Sequence, residues 1–197
     1  MLATVDEFAK VPNEMKLMPQ WVCWDDQGGR KMPIAPTTGQ AAKTNDKSTW
    51  TDFATACAAY KRLGLTGIGF VFSEDDELVG IDLDACLDSD WDIADWAKII
   101  VEEFATYTEI SPSGRGLKLW CKGKIAKGCK HTIEKRDGGK SSAIEVYATG
   151  RYFTVTGQQW DDGESVVSNC QEQLDSLTDR YWPRSIKIEP ERIDVEM

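Results

Sequence analysis

The chain has 197 residues, of which 41% are hydrophobic and 28% charged, and its formal net charge is −10. This composition is typical of a soluble globular protein with one sizeable domain or two small ones. No apolar run approaches the ~20 residues that a membrane-spanning helix requires, which argues against a membrane partner. The six cysteines form no C-x-x-C pair and the N-terminus lacks the features of a signal peptide. We therefore expect reduced thiols rather than a disulfide framework.

The charge is distributed unevenly along the chain. Residues 115–151 contain ten lysines and arginines but only three acids, a local charge of +7 that leaves −17 on the rest. A basic segment on an acidic body can bind the phosphate backbone of a nucleic acid. A solvated basic loop explains the charge equally well, so the charge pattern leaves both interpretations open.

The first third of the chain predicts a short strand, an extended edge and a helix. Residues 20–24 are rich in strand-forming residues, and the two prolines within 31–36 favour an edge strand or loop. Thr49 is placed to cap a helix with Asp52 at its third position, and Gly64 is placed to end it. The apolar residues at helical spacing are Trp50, Phe53, Cys57 and Tyr60.

The remaining elements alternate between strands and helices. Two apolar runs at 67–72 and 78–84 flank the polar segment 73–77, a pattern typical of a β-hairpin. An amphipathic helix is expected over about 91–104 and another over about 164–181. Four more strands are expected at residues 107–111, 117–121, 143–147 and 152–156, with a basic, glycine-rich loop at 123–142.

Two aspartates, Asp82 and Asp84, lie two residues apart inside the apolar run Val79-Gly80-Ile81-Asp82-Leu83-Asp84. Residues at this spacing share one face of a strand, so the two carboxylates would project side by side, about 6–7 Å apart. Such a pair repels unless a cation lies between its members, and hard divalent ions prefer oxygen ligands. The pair therefore predicts a metal site, and a strand that ends in a solvated acidic turn is the alternative.

A second motif, Ser111-Pro112-Ser113-Gly114-Arg115-Gly116-Leu117-Lys118, joins a turn of small residues to a strand. Small residues let backbone N–H groups approach an anion closely, and the two basic side chains add positive charge. An ordinary hairpin turn is the alternative.

A third motif places Glu145 inside the apolar, β-rich segment Ile144-Glu145-Val146-Tyr147. An unpaired charge in such a segment is costly, so Glu145 requires a partner. A metal ion shared with Asp82 and Asp84 would satisfy this carboxylate, and an ordinary salt bridge to a lysine or arginine is the alternative.

In this order the three motifs resemble the catalytic core of the archaeo-eukaryotic primase superfamily. The match is strongest with the N-terminal domain of the bifunctional DNA primase/polymerases (Prim-Pol) of phage and plasmid replication. The family pattern is a strand with two aspartates, a Ser/Gly turn leading to a strand with a basic residue, and a strand with a third acid. The resemblance covers roughly residues 15–160. It includes Gly150-Arg151-Tyr152-Phe153-Thr154-Val155-Thr156-Gly157 and the upstream Trp50-Thr51-Asp52-Phe53 and Gly67-Ile68-Gly69-Phe70-Val71-Phe72.

The resemblance implies a mixed α/β (α+β) fold with a primase-type catalytic core. Two subdomains, one with an RRM-like sheet, would flank an active-site cleft. It also implies the domain boundaries: a catalytic domain over 1–162, a C-terminal packing helix over 163–183, and a charged tail or linker over 184–197.

The resemblance further implies template-directed nucleotidyl transfer from (d)NTPs to a 3′-hydroxyl with two Mg²⁺ or Mn²⁺ ions. The metal ligands would be Asp82, Asp84 and Glu145. Nucleotide binding would fall to Ser111, Ser113, Gly114, Arg115, Gly116, Lys118 and Arg151, with Lys118 also counted among the catalytic residues. DNA, nucleotides and a replicative helicase in cis or trans would be the partners, in a bacterial or phage-infected cytoplasm.

One residue departs from the family pattern, because Lys118 stands where the family usually has histidine. A lysine remains cationic across physiological pH and can bind phosphate, but it is a poor proton donor because it is ~4 units more basic than histidine. We therefore assign it to phosphate binding. The alternative for the whole chain is a single-stranded nucleic-acid-binding module that kept the Prim-Pol fold and lost catalysis.

Overall fold

The computed structural model describes residues 7–134, 141–161 and 164–183. The helices are α1 (Asn13–Lys16), α2 (Phe53–Leu63), α3 (Asp95–Phe104) and α4 (Gln171–Tyr181). The strands are β1 (Trp21–Asp26), β2 (Lys31–Ile34), β3 (Gly67–Val71), β4 (Leu78–Asp84), β5 (Thr108–Ile110), β6 (Leu117–Lys122), β7 (Cys129–Glu134), β8 (Ser142–Tyr147) and β9 (Tyr152–Val155).

The strands form two antiparallel sheets. A four-stranded sheet has the order β2-β1-β3-β9, and a five-stranded sheet has the order β5-β6-β4-β8-β7. Together with the helices they make an α+β fold, which confirms the expected class at this level. No helix in the described part of the chain is long and apolar enough to cross a membrane.

The hairpin expected at 67–84 is wrong, because β3 and β4 lie in different sheets. Each of the two strands is almost entirely buried and lies between two other strands. The polar segment 73–77 therefore crosses between the sheets rather than turning within one. Asp76 shapes this crossing, because its carboxylate accepts hydrogen bonds from the Leu78 N–H and the Gln20 amide, both at 2.7 Å.

Three helix starts differ from the expectation. Helix α2 is capped by Asp52, whose carboxylate accepts the Thr55 N–H at 2.9 Å, whereas Thr49 ends a short 3₁₀ helix, so the Thr49 cap is wrong. The predicted end of α2 is confirmed, because Gly64 adopts a left-handed conformation with φ of 64°. Helices α3 and α4 begin later than expected, at Asp95 and Gln171.

The loop expected at 123–142 contains a strand instead. Strand β7 forms the outer edge of the five-stranded sheet and pairs with β8. Its side chains alternate between half-buried and exposed, because one face contacts the sheet's core and the other faces solvent. The basic residues at 135, 136 and 140 lie outside the described residues, as does the predicted tail at 184–197.

Two cores cover the two faces of the five-stranded sheet. On one face, α3 and α4 pack against Ile81, Leu83 and Val146, with Leu174 and Leu177 contributed by α4. The other face joins the four-stranded sheet through the aromatic side chains Trp21, Phe70, Phe72, Tyr107, Trp120 and Phe153. Asp82, Lys118 and Glu145 lie on this second face, where Lys118 contacts the ring of Phe153.

Candidate active site

A row of charged residues crosses all five strands of the larger sheet. Asp82 on β4 lies directly between Lys118 on β6 and Glu145 on β8. The row extends outward to Glu109 on β5 and to Lys130 on β7. Because directly paired residues in an antiparallel sheet share a face, these side chains project from the same side. The structure thus brings together three predicted site residues that are far apart in the chain.

Lys118 is held between a carboxylate and an aromatic ring. Its Nζ lies 2.8 Å from Asp82 Oδ2 and 4.1 Å from the centroid of the Phe153 ring. The Lys118 side chain is only 6% exposed, so its ammonium depends on these groups in place of water. The ring of Phe153 and the carboxylate of Asp82 therefore fix the position of the cation.

Glu145 has two partners of its own. Lys130 forms an ion pair with Oε1, and the Tyr147 hydroxyl donates to Oε2 at 2.9 Å. The hydrogen bond to Glu145 raises the pKa of Lys130, with a further contribution from the charge of Asp84. Burial raises the pKa of Tyr147, and its bond to Glu145 acts in the same direction. The ordinary salt bridge that was the alternative interpretation of Glu145 is therefore present, with Lys130 as its partner.

Asp84 lies two residues after Asp82 on β4 and is 9% exposed. It stands opposite Ala143 on β8. In the ranges that the structure describes, no group of three His, Cys, Asp or Glu side chains is close enough together to hold a metal ion. The assignment of Asp82, Asp84 and Glu145 as metal ligands therefore stays a prediction.

A cleft of about 250 Å³ opens above this row between the two sheets. Its lining from the five-stranded sheet consists of Asp82, Lys118, Glu145 and Tyr147, and its other lining residues are Lys31, Arg151, Tyr152, Phe153 and Thr154. The Arg151 guanidinium lies 5.2 Å from the Tyr147 ring, beside Glu145. Of the predicted nucleotide-binding residues, Lys118 and Arg151 line this cleft.

The Ser/Gly turn lies beside Asp84 rather than in the cleft. A Cβ on Gly116 would stand 2.7 Å from the Leu83 carbonyl oxygen, so only glycine lets the turn approach β4 this closely. Gly114 adopts φ of 70° and donates its N–H to the Ser111 carbonyl at 2.9 Å. The Ser111 and Ser113 hydroxyls are 3.1 Å apart.

Arg115 lies away from the cleft. It lines a separate cavity of about 480 Å³, together with Asp88 and Asp92 of the loop that follows β4. The backbone hydrogen bonds of the Ser/Gly turn are also those of an ordinary tight turn, which is the alternative interpretation of its glycines. The structure therefore brings Asp82, Lys118, Glu145 and Arg151 together and leaves Arg115 elsewhere.

No family model matches the chain. The chain is 40% identical over 148 residues to a protein named DNA primase-polymerase from Nitratiruptor phage NrS-1. The alignment covers 75% of this chain and 20% of that relative, so the chain spans about one-fifth of the relative's length. The chain belongs to the Prim-Pol family. This confirms the family suggested by the three motifs.

One buried group of this Prim-Pol chain was missed by the sequence motifs. Glu109 is fully buried and accepts hydrogen bonds from the Tyr107 hydroxyl at 3.0 Å and from the N–H groups of Thr156 and Gly157 at 3.1 Å. Burial raises its pKa to about 7, while these bonds and the charge of Lys118 act in the opposite direction. An acid within the apolar strand 107–111 is the same signal that drew attention to Glu145.

Glu109 also joins the two sheets. Its two backbone donors lie directly after β9, which belongs to the four-stranded sheet, while Glu109 itself lies on β5. The neighbouring hydrogen bonds from Ile110 N–H to the Gln158 carbonyl and from the Thr156 hydroxyl to the Ile110 carbonyl reinforce this junction. The junction therefore anchors the end of the strand whose Phe153 contacts Lys118.

Proposed function

We propose that this chain catalyses template-directed DNA synthesis as a primase/polymerase, by nucleotidyl transfer from (d)NTPs to a 3′-hydroxyl. The observation that carries the proposal is the direct cross-strand pairing of Asp82 with Glu145 on the floor of a cleft that Lys118 and Arg151 also line. Carboxylates can hold divalent cations, and basic groups beside them can bind the phosphates of a polyphosphate substrate. The family relationship supports the same activity.

Asp82, Asp84 and Glu145 would hold Mg²⁺ or Mn²⁺ in two sites. All three offer oxygen donors, the type that hard cations prefer, from one face of the sheet. Bound divalent ions would activate the attacking hydroxyl and neutralise the leaving pyrophosphate. The lysines that now pair with Asp82 and Glu145 indicate that these carboxylates require cationic partners.

The remaining residues would bind and orient the nucleotide. Lys118 and Arg151 would contact its phosphates from the cleft, where a lysine acts as a point charge and an arginine as a two-pronged donor. The turn that contains Ser111, Ser113, Gly114 and Gly116 would add backbone N–H groups from the Asp84 side. Arg115 would contribute least, since it faces the neighbouring cavity.

The basic residues of the segment 122–140 would contact the template backbone, and a replicative helicase, in cis or in trans, would be a further partner. The protein would then work in the cytoplasm of a bacterial or phage-infected cell. Binding through phosphate contacts should weaken steeply as the salt concentration rises.

A primer-extension assay beside a primer-free assay, each with Mg²⁺ and with Mn²⁺, tests the proposal. Asp82→Asn with Asp84→Asn should abolish incorporation, while Asp90→Asn, at an exposed aspartate outside the cleft, should leave it unchanged. Undiminished synthesis by the double variant would exclude the proposed metal ligands. Failure of the unmodified chain under every condition would exclude the activity.

A second function has an observation in its favour. Lysines already neutralise two of the three proposed ligands, which is consistent with a binding module that holds no metal. Such a module would bind single-stranded DNA in a salt-sensitive way and incorporate no nucleotide with either metal. Measuring both properties on one preparation distinguishes the two functions.

A further inference from the structure

Lys118 has acidic neighbours on both sides within its sheet. Asp82 pairs with it from β4, and Glu109 pairs with it from β5. The ammonium now contacts Asp82, and the charge of Lys118 also acts on the Glu109 carboxyl. The two carboxylates differ in exposure, because the Asp82 side chain is 19% exposed in the cleft whereas Glu109 is fully buried.

Glu109 retains the capacity to accept one more hydrogen bond. A carboxylate offers about four acceptor positions. Among the described residues, Oε2 accepts from the Tyr107 hydroxyl and the Gly157 N–H, whereas Oε1 accepts only from the Thr156 N–H. One position on Oε1 is therefore left for a donor, and the neighbouring Lys118 is the cation on the adjacent strand.

A divalent ion bound to Asp82 Oδ2, the oxygen that Lys118 now contacts, would force the ammonium to move. Two cations cannot share the same carboxylate oxygen without strong repulsion. The ammonium cannot simply retreat into water, because its side chain is 6% exposed and lies against the Phe153 ring. A short movement toward the strand on its other side keeps the cation next to a carboxylate and over the ring.

We propose that Glu109 is a positioning residue that receives the Lys118 ammonium when a divalent cation takes the Asp82 carboxylate. The inference rests on the proposed metal-binding role of Asp82. Glu109 touches neither metal nor nucleotide and acts through Lys118. It supplies a counter-charge to the displaced ammonium, which would otherwise stay buried and unpaired.

Mn²⁺ binding to the full chain without nucleotide, measured by isothermal titration calorimetry, tests the proposal. Glu109→Gln should weaken Mn²⁺ binding about tenfold, the lower end of the effect of residues that orient metal ligands. Tyr107→Phe removes a hydrogen bond to the same carboxylate but no charge, and it should change Mn²⁺ affinity less than twofold. Lys118→Met should tighten binding, because it frees Asp82.

A double-mutant cycle separates this role from a general electrostatic effect of the lost charge. In the Lys118→Met background, Glu109→Gln should change Mn²⁺ affinity less than twofold, because the residue through which it acts is gone. An equal loss of affinity in both backgrounds would refute the proposal. So would a wild-type chain that binds no Mn²⁺ at Asp82.

A crystal structure of the wild-type chain with Mn²⁺ tests the proposal without any variant that could misfold. Lys118 Nζ should lie within hydrogen-bond distance of Glu109 Oε1, with the metal on Asp82. A metal on Asp82 with Nζ still on that carboxylate or turned to solvent would overturn it. A chain that shows the movement and the coupling but makes no DNA would refute the proposed function alone.

Discussion

Glu109 should make the stability of this protein fall as the pH rises, opposite to the usual behaviour of a paired carboxylate. Burial holds its pKa at about 7 in the folded protein, against 4.5 for the ordinary glutamate. The titratable groups that face it are the Tyr107 hydroxyl and the Lys118 ammonium. Replacement by glutamine removes the titration and keeps a side chain of nearly the same shape.

The sign follows from proton linkage. Between pH 4.5 and 7 the folded protein binds more protons at Glu109 than the unfolded chain does, so its free energy of unfolding decreases as the pH rises. Below this range the residue is protonated in both states, and above it both states are ionised. A shift from 4.5 to about 7 corresponds to about 3 kcal/mol of unfolding free energy, at 1.36 kcal/mol per unit.

Urea unfolding of the wild type and of Glu109→Gln, followed by tryptophan fluorescence at several values between pH 4.5 and 8, measures this contribution. Other carboxylates titrate in both proteins, so the quantity of interest is the difference between them. The variant should gain about 3 kcal/mol relative to the wild type from the acidic to the alkaline end. A constant difference across the range would refute the assigned protonation behaviour of Glu109.

Three other substitutions have definite expected outcomes. Gly80→Ala places a Cβ 2.2 Å from the Phe72 ring, so thermal unfolding should show a loss of about 3 kcal/mol. Asp52→Ala removes the cap of α2 and should lower the urea unfolding free energy by about 1 kcal/mol. Lys130→Met frees the Glu145 carboxylate and should tighten Mn²⁺ binding about threefold in a calorimetric titration, because an exposed ion pair competes only weakly.

Each of these outcomes has a control or a contrary result. Gly150→Ala, at a glycine with φ of 66° and no atom within 4 Å of its Cβ position, tests backbone strain without crowding; a loss as large as at Gly80 would contradict the steric reason. An unchanged urea midpoint would argue against the Asp52 cap. Lys124→Met, at a lysine paired with exposed Glu77, should leave Mn²⁺ affinity unchanged, and an equal effect there would discount Lys130.

The amino-acid sequence by itself determined the local features on which the family assignment rests. The alternation of polar and apolar residues placed Asp82 and Asp84 on one face of β4, because a strand repeats every two residues. Gly64 ended α2 because a left-handed residue is needed there. The acid of Glu145 and the Ser/Gly turn before Lys118 were also visible, and together they identified a Prim-Pol chain.

Only the tertiary structure decided which strands are neighbours. The polar segment 73–77 was compatible with a hairpin, yet β3 pairs with β1 and β9 while β4 pairs with β6 and β8, so the two strands lie in different sheets. Strand β7 was hidden in a basic, glycine-rich segment because its stability comes from pairing with β8. The strand register that aligns Lys118, Asp82 and Glu145 is likewise a long-range property.

The role of Glu109 depended on the same long-range pairing. In the sequence it is one acid in a short strand, and nothing local indicates that its partners come from the end of β9, some 47 residues away. Asp82 likewise acquired its counter-ion, Lys118, only when β6 came to lie beside β4. Side-chain chemistry and local spacing can be read from the chain, whereas the partners of a buried charge are set by the strands that pack around it.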